Sequence, residues 1–493
     1  MFFHIRRLLK HSVVYGLGHV ISRVVSFVLL PFLTHSLNPE QYGVMTLLYT
    51  FISIVQVVYI YGADIAFLRY YIPEKDEEKR MGIFSTVLWA TLAGSVLLSL
   101  IIVATSGWIT RIIFNNPGAL DANTGYLIVL SVGILFCDTL ATYPYLWFRS
   151  VEKSLPFIAV KSAGVALHVG LTVVFLAVLD RGIRGIFEAN LIASAAQLAV
   201  LLPVILRNTR AAFHMKLFGE MFRFGIPNMP SQLFVMVVEL SDRKILELML
   251  GLTAVGLYSA GYKLGLFMAV ITMGFRFAWQ PFFMSIADRP DARETFARVF
   301  TYFILVAGTL FLGFTFLVGP LMKINLPVVG VLIEERYWPG LKVFPVILLA
   351  HICNGAYANF MVGVYLTRKT GLMPLVTGAA AVVNLAVNLL LIPVFGMMAA
   401  AWSHVAAYLT LAGLLYVLIQ KHYYIKYEWT RVATIVACGG LVYALSTIPF
   451  LEAHWPLKLL LLPAFFLLLK ASNFFLPEEL AAVRRRLFPS RAG

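Results

Sequence analysis

The chain has 493 residues, 60% hydrophobic and only 13% charged, with a formal net charge of +15. A soluble protein carries about a quarter charged residues, so the composition excludes one. Apolar runs of about 18 residues or more recur from end to end, the mark of a polytopic helical membrane protein. A membrane β-barrel is excluded as well, because its strands alternate in short segments. The positive charge does not point to nucleic acid, since Lys and Arg gather in alternate loops, where they orient a membrane chain.

The first stretch, MFFHIRRLLK, is basic and leads into an apolar span with no small-residue cleavage signature. It reads as an uncleaved first helix. The pattern predicts about fourteen spans: 13–34, 43–66, 82–106, 124–148, 157–179, 184–206, 223–249, 254–284, 299–322, 342–366, 374–394, 396–420, 430–450 and 455–475. The loops on one side hold 25 of the 39 Lys and Arg residues, from Arg6 and Arg7 to Arg484, Arg485, Arg486 and Arg491. The opposite side holds seven: Arg111, Arg181, Arg184, Lys323, Arg336, Lys342 and Lys458. The bias places both termini in the cytoplasm and requires an even number of spans. Cys137, Cys353 and Cys438 all fall in apolar segments, so neither a disulfide framework nor a metal site is expected.

No loop is long enough to fold separately, so function must lie among the helices. An internal repeat divides them. Residues 155–202 parallel 373–415: each begins at a Pro, spans, turns at Gly182 or Gly396, and returns through small residues. LNPEQYG (37–43) likewise echoes LGLTAVGLY (250–258). Six-helix bundles are therefore expected at 1–210 and 211–423, followed by two further helices and a basic cytoplasmic tail in 424–493. Two repeated bundles with a site between them are the layout of an alternating-access transporter.

Charge inside the spans marks the candidate site, since an ionised side chain in hydrocarbon costs at least ~2.5–3.5 kcal/mol. Glu239, Asp242, Arg243, Lys244 and Glu247 crowd the seventh span, and Lys263 and Arg276 lie in the eighth. Arg243 has Glu239 and Glu247 at i−4 and i+4, which suggests a self-neutralised row on one helix face. Arg23, in the first span, has no acid at helical spacing on its own helix. Lys161 and Lys470 lie close enough to helix ends to snorkel. Cations held in a low-dielectric cavity suit a phosphate or diphosphate passenger. The acids Asp64, Asp138, Glu188, Glu239 and Asp242 are open to two roles, counter-charge or carriage of H+ or Na+. No G-x-x-x-x-G-K-[ST] stretch is present, so no ATP site is expected. His19, His168, His351 and His404 stand singly in separate spans, and packing is their ordinary role.

Three stretches carry a resemblance. One is Asp242-Arg243-Lys244-Ile245-Leu246 with Gly251 and the run Val255 to Gly265, VGLYSAGYKLG. The others are Phe277-Ala278-Trp279-Gln280-Pro281-Phe282 and the run from Asn384 to Gly396, NLAVNLLLIPVFG. With Leu37-Asn38-Pro39-Glu40-Gln41-Tyr42-Gly43 and Tyr61-Gly62-Ala63-Asp64 near the N-terminus, the chain resembles bacterial oligosaccharide-lipid flippases over nearly its whole length. These are the Wzx-like polysaccharide transporter family of the multidrug/oligosaccharidyl-lipid/polysaccharide (MOP) exporter superfamily.

The resemblance implies an all-α, V-shaped pair of six-helix bundles around a cationic cavity in the inner membrane of a bacterium. It also implies a polyprenyl-diphosphate-linked oligosaccharide as passenger, in contact with membrane lipid. A polysaccharide polymerase or ligase is an implied partner. Ser22-Arg23-Val24 matches a cavity-lining stretch of the related lipid II flippases. Lys263 stands where those have an Arg, which keeps the charge without the bidentate fork. In those relatives the last two helices form a groove for the lipid tail, a role that falls here to 430–475. The rival readings are a cation-coupled exporter of small amphiphiles from the same superfamily and a membrane-embedded glycosyltransferase or ligase. The first calls for an acidic and aromatic cavity, against which Arg23 and Lys263 argue. The second is disfavoured by the repeat and by the lack of a large outer loop.

Overall fold

The computed structural model describes residues 27, 29–115, 124–322, 324–326 and 330–479. Arg23, the start of the first expected span and the basic tail lie outside them. Among the described residues, eleven helices are long and apolar enough to cross a membrane. The chain is a multi-pass, all-helical membrane protein.

Helix α1 (Pro39–Ile60) begins where the Asn38 side chain accepts the Gln41 N–H and the Gln41 side chain accepts the Asn38 N–H. This reciprocal cap satisfies two orphan donors, and Pro39 fits the first turn, where no partner for an N–H exists. The helix stops at Tyr61 and Gly62, both at positive φ, so the expected span 43–66 breaks and α2 (Ala63–Tyr71) follows. Asp76 caps α3 (Glu77–Ala104), and α4 (Ser106–Ile113) is a short return. Then come α5 (Thr124–Ser150), α6 (Ser154–Ala177) and α7 (Gly182–Asn208).

The second part of the chain opens with the amphipathic α8 (Met215–Gly225). A 3₁₀ turn at Ile226–Asn228, which contains Pro227, separates it from α9 (Met229–Leu250), which has Pro230 in its first turn. Gly251, at φ 83°, turns the chain into the long α10 (Leu252–Ile286). Next are α11 (Ala292–Met322) and α12 (Phe344–Thr367), joined through a two-residue hairpin, Asn325–Leu326 against Gly330–Val331. Gly396, at φ 59°, separates α13 (Met373–Phe395) from α14 (Met397–Gln420). The turns expected at Gly182 and Gly396, and Gly251 between the spans expected at 223–249 and 254–284, all have the positive φ that favours glycine. After α15 (Trp429–Ser446) come only short pieces: α16 (Pro449–Ala453), α17 (Trp455–Lys458) and α18 (Leu461–Ala471). The uninterrupted span expected at 455–475 does not form. Pro456 and Pro463 each remove an N–H and restrict the preceding turn.

One seam positions the site. Helix α1 runs between α10 and α9 and packs on both. At one end a Cβ on Gly43 would overlap the Leu252 carbonyl, and one on Gly256 would overlap the Pro39 carbonyl. At the other end, ~29 Å from Gly43 along α1, Gly62 and Gly225 meet backbone to backbone. Small residues allow such close helix approach where no aqueous hydrophobic drive exists.

Candidate functional site

Between these two contacts α1, α9 and α10 enclose a cavity of about 370 Å³. Tyr49, Thr50 and Ser53 line it from α1, Glu239 and Arg243 from α9, and Ser259, Tyr262 and Lys263 from α10. Lys263 is half-buried, and among the described residues no carboxylate lies within ion-pair distance of it.

Behind the cavity wall lies a buried polar cluster. The Arg243 guanidinium donates to Asp242 Oδ1 at 2.6 Å and to the Glu239 carbonyl, and it stacks 4.1 Å from the Tyr262 ring centroid. Asp242 is fully buried; its Oδ2 also takes the Tyr258 hydroxyl and lies 3.0 Å from His404 Nε2. The Tyr408 hydroxyl donates to Glu239 Oε1 at 3.2 Å. Beside the cluster, Asn384 accepts from Ser241 and Asn388 and donates to Ser403. Buried polar groups on four helices are thus tied together, as burial demands.

The row on α9 is not self-neutralised as its spacing suggests. Glu239 and Glu247 share a face with Arg243 by spacing, yet neither carboxylate pairs with it. The adjacent Asp242 does so in the core, where a guanidinium needs an anion most. Glu247 turns instead to Lys244 Nζ at 2.6 Å and accepts the Asn115 N–H at 2.6 Å, while Lys244 donates to the Ile113 carbonyl at 3.1 Å. This bridge ties α9 to the segment after α4.

The remaining candidates stand apart. Arg276 is exposed and donates to Asn354 at 3.1 Å, away from the residues that line the cavity. Asp138 of α5 is exposed, and Lys161 Nζ lies 5.4 Å from the Tyr145 ring centroid. Asp64 lies in the first turn of α2, and one of its oxygens is buried with no hydrogen-bond partner among the described residues. Glu188 pairs with Arg181 at 2.6 Å. Among the described residues no group of three His, Cys, Asp or Glu side chains is placed to hold a metal. A second cavity, of about 330 Å³, lies among α11, α12, α14, α15 and α18. Its wall is apolar, including Leu312, Leu349, Trp402, Ile435 and Phe465.

A family model described as "Polysaccharide biosynthesis protein" matches residues 8–287, more than half of the chain. The chain belongs to that family. A 92-residue stretch, 19% of the chain, is 29% identical to Lsg locus putative protein 1 of Haemophilus influenzae; it spans only 23% of that protein's length. The solved lipid II flippase MurJ, in an inward closed conformation, superposes at TM-score 0.73 with 12% identity, covering 94% of this chain and 99% of its own. An inward-facing multidrug resistance transporter of the MATE family, in the MOP superfamily, superposes at 0.62 with 12% identity, covering 81% and 94%. These likenesses establish a MOP-type transporter fold.

Sequence reasoning missed His404 and the tyrosines Tyr258, Tyr262 and Tyr408 as parts of the cluster. His404 lies 162 residues from Asp242, and nothing in the local pattern of α14 distinguishes it from a packing histidine.

Proposed function

We propose that this protein is a flippase that carries a polyprenyl-diphosphate-linked oligosaccharide from the cytoplasmic to the outer leaflet of a bacterial inner membrane. The observation that carries the reading is Lys263. It is a cation without an ion-pair partner among the described residues, set with Arg243 in a cavity between α1 and the α9–α10 pair. Such a charge in low dielectric favours an anionic ligand over solvent, and a diphosphate supplies one. The hydroxyls and tyrosines around it suit a sugar, and the apolar cavity beside α15 and α18 suits the polyprenyl chain. Residues 1–210 and 211–423 form the two bundles that rock, and 424–493 carries the lipid groove. With both termini cytoplasmic, the Gly43–Gly256 contact closes the outer end and the Gly62–Gly225 contact the inner one. Arg23 joins Lys263 in drawing the diphosphate inward, while Arg276 attracts it nearer the cytoplasm.

Asp138, Asp64, Glu239 and Asp242 are the candidates for H+ or Na+ coupling. Polymer assembly requires a polymerase or ligase to consume the flipped product. The test is translocation of a fluorescent lipid-linked oligosaccharide in proteoliposomes. Protection from an external reagent that decays only with the protein present supports the reading. Export of cationic dyes without lipid-linked sugar movement overturns it in favour of a multidrug exporter, and glycosyl transfer by the purified protein overturns it in favour of an enzyme.

A further inference from the structure

Among the described residues, two hydroxyls in the cavity lack the partner that their neighbours have. On α1, Thr46 Oγ1 donates to the Tyr42 carbonyl at 2.9 Å and Ser53 Oγ to the Tyr49 carbonyl at 2.8 Å. This is the usual way for a helix to satisfy a hydroxyl, by bonding one turn back. Thr50, between them, has no hydrogen-bond partner among the described residues although it is only 7% exposed. Ser259, facing the same cavity from α10, is 8% exposed and likewise has no partner among the described residues. An unmet buried hydroxyl is costly, and here one comes from each side of the seam.

A third group in the cavity says what kind of ligand would meet them. Glu239 is a half-buried carboxylate that takes one hydrogen bond, from Tyr408. Its remaining lone pairs accept only. A diphosphate, which also only accepts, is repelled by Glu239 and is drawn to Lys263 instead. A sugar hydroxyl both donates and accepts, so it can bond Glu239, Thr50 and Ser259 alike. The sugar ring's apolar face also has a match in Tyr49, a flat ring with a polar tip. Tyr49 is held by stacking on Phe187 at 5.0 Å and by a bond from Asn190 at 3.2 Å, so it is fixed before any ligand arrives.

We infer that Thr50, Ser259 and Glu239 form a subsite for the sugar next to the diphosphate, which makes the protein prefer a glycosylated carrier to the bare polyprenyl diphosphate. The inference rests on the flippase reading and adds to it a source of selectivity. Because Thr50 and Ser259 lie on opposite sides of the seam, a bound sugar bridges α1 and α10. Each hydroxyl contributes about threefold to tenfold to the preference, the range of one net hydrogen bond.

The experiment measures binding of two probes to the purified protein in nanodiscs, a bare polyprenyl diphosphate and the same lipid carrying one hexose. Wild type is compared with Thr50→Val, Ser259→Ala, and the hydroxyl-retaining Thr50→Ser and Ser259→Thr. The expected result is a wild-type preference for the hexose-bearing lipid that falls about threefold to tenfold in each hydroxyl-deleted variant and survives in the retaining ones. A wild-type preference that persists in both Thr50→Val and Ser259→Ala overturns the subsite while leaving the flippase reading intact. Equal wild-type binding of the two probes does the same. Wild type that binds neither overturns the inference together with the reading beneath it.

Discussion

Replacing Asp242 with alanine strands a guanidinium in the helix core. The Arg243 side chain is 6% exposed and its anion is Asp242 Oδ1 at 2.6 Å, while the same carboxylate holds His404 Nε2 at 3.0 Å and the Tyr258 hydroxyl. Removing one partner of such a pair costs about 3–5 kcal/mol, because the other charge remains buried and uncompensated. Replacing both with apolar residues of similar volume removes the stranded charge as well, so Asp242→Leu/Arg243→Met is expected to cost much less than the two single changes summed. Chemical unfolding in detergent micelles, followed by tryptophan fluorescence, reads all three variants. The reasoning fails if Asp242→Ala lies within about 1 kcal/mol of wild type, or if the double change costs the full sum.

Gly256→Val pushes a side chain into the Pro39 carbonyl. Overpacking of about 1–3 kcal/mol is expected to open this end of the seam and speed external labelling of a Thr46→Cys reporter; unchanged labelling would contradict the closure. Glu247→Gln removes the charge from the bond to Lys244 at 2.6 Å and weakens acceptance from Asn115. Charge-assisted bonds contribute about 1.5–3 kcal/mol, so hydrogen exchange in 106–115 is expected to rise, and equal exchange would count against the bridge. Near the C-terminus, burial pushes the Glu479 carboxyl up, but the Tyr302 hydroxyl, the Leu476 N–H and Arg431, bonded to both oxygens at 3.1 and 2.9 Å, outweigh it and hold it below its usual range. A depressed folded value contributes stability that is complete above the unfolded glutamate pKa of about 4.3 and is lost as pH falls from there through the lower folded value. Thermal stability is therefore expected to drop on acidification more in wild type than in Glu479→Gln; identical pH profiles would refute this.

Much of the membrane architecture is legible in the sequence because hydrocarbon imposes one strong rule, an uninterrupted apolar helix with its backbone bonds satisfied internally. Gly251 and Gly396 were readable as turns for the same reason, since each interrupts an apolar run at a residue that tolerates positive φ. Interruptions by proline were less visible. At 455–475 the apolar content persists through Pro456 and Pro463, so composition promises a span that the backbone does not complete. Side-chain pairing inside the bundle was the hardest part. The i, i+4 spacing of Glu239, Arg243 and Glu247 is a local fact, but the partners were decided by distant residues: His404 and Tyr258 draw Asp242 into the core, and Asn115 draws Glu247 away. Lys263 was legible because an intramembrane cation is rare. Thr50 and Ser259 were not, since a helical hydroxyl ordinarily satisfies itself and only the packed structure reveals two that do not.

The most direct measurement is translocation of a lipid-linked oligosaccharide by Lys263→Ala and Lys263→Arg beside wild type, in proteoliposomes at matched protein content. The account predicts near-complete loss in Lys263→Ala and substantial retention in Lys263→Arg, because the charge is what the diphosphate meets in the cavity. Wild-type rates in a correctly folded Lys263→Ala protein would contradict the cationic-cavity mechanism.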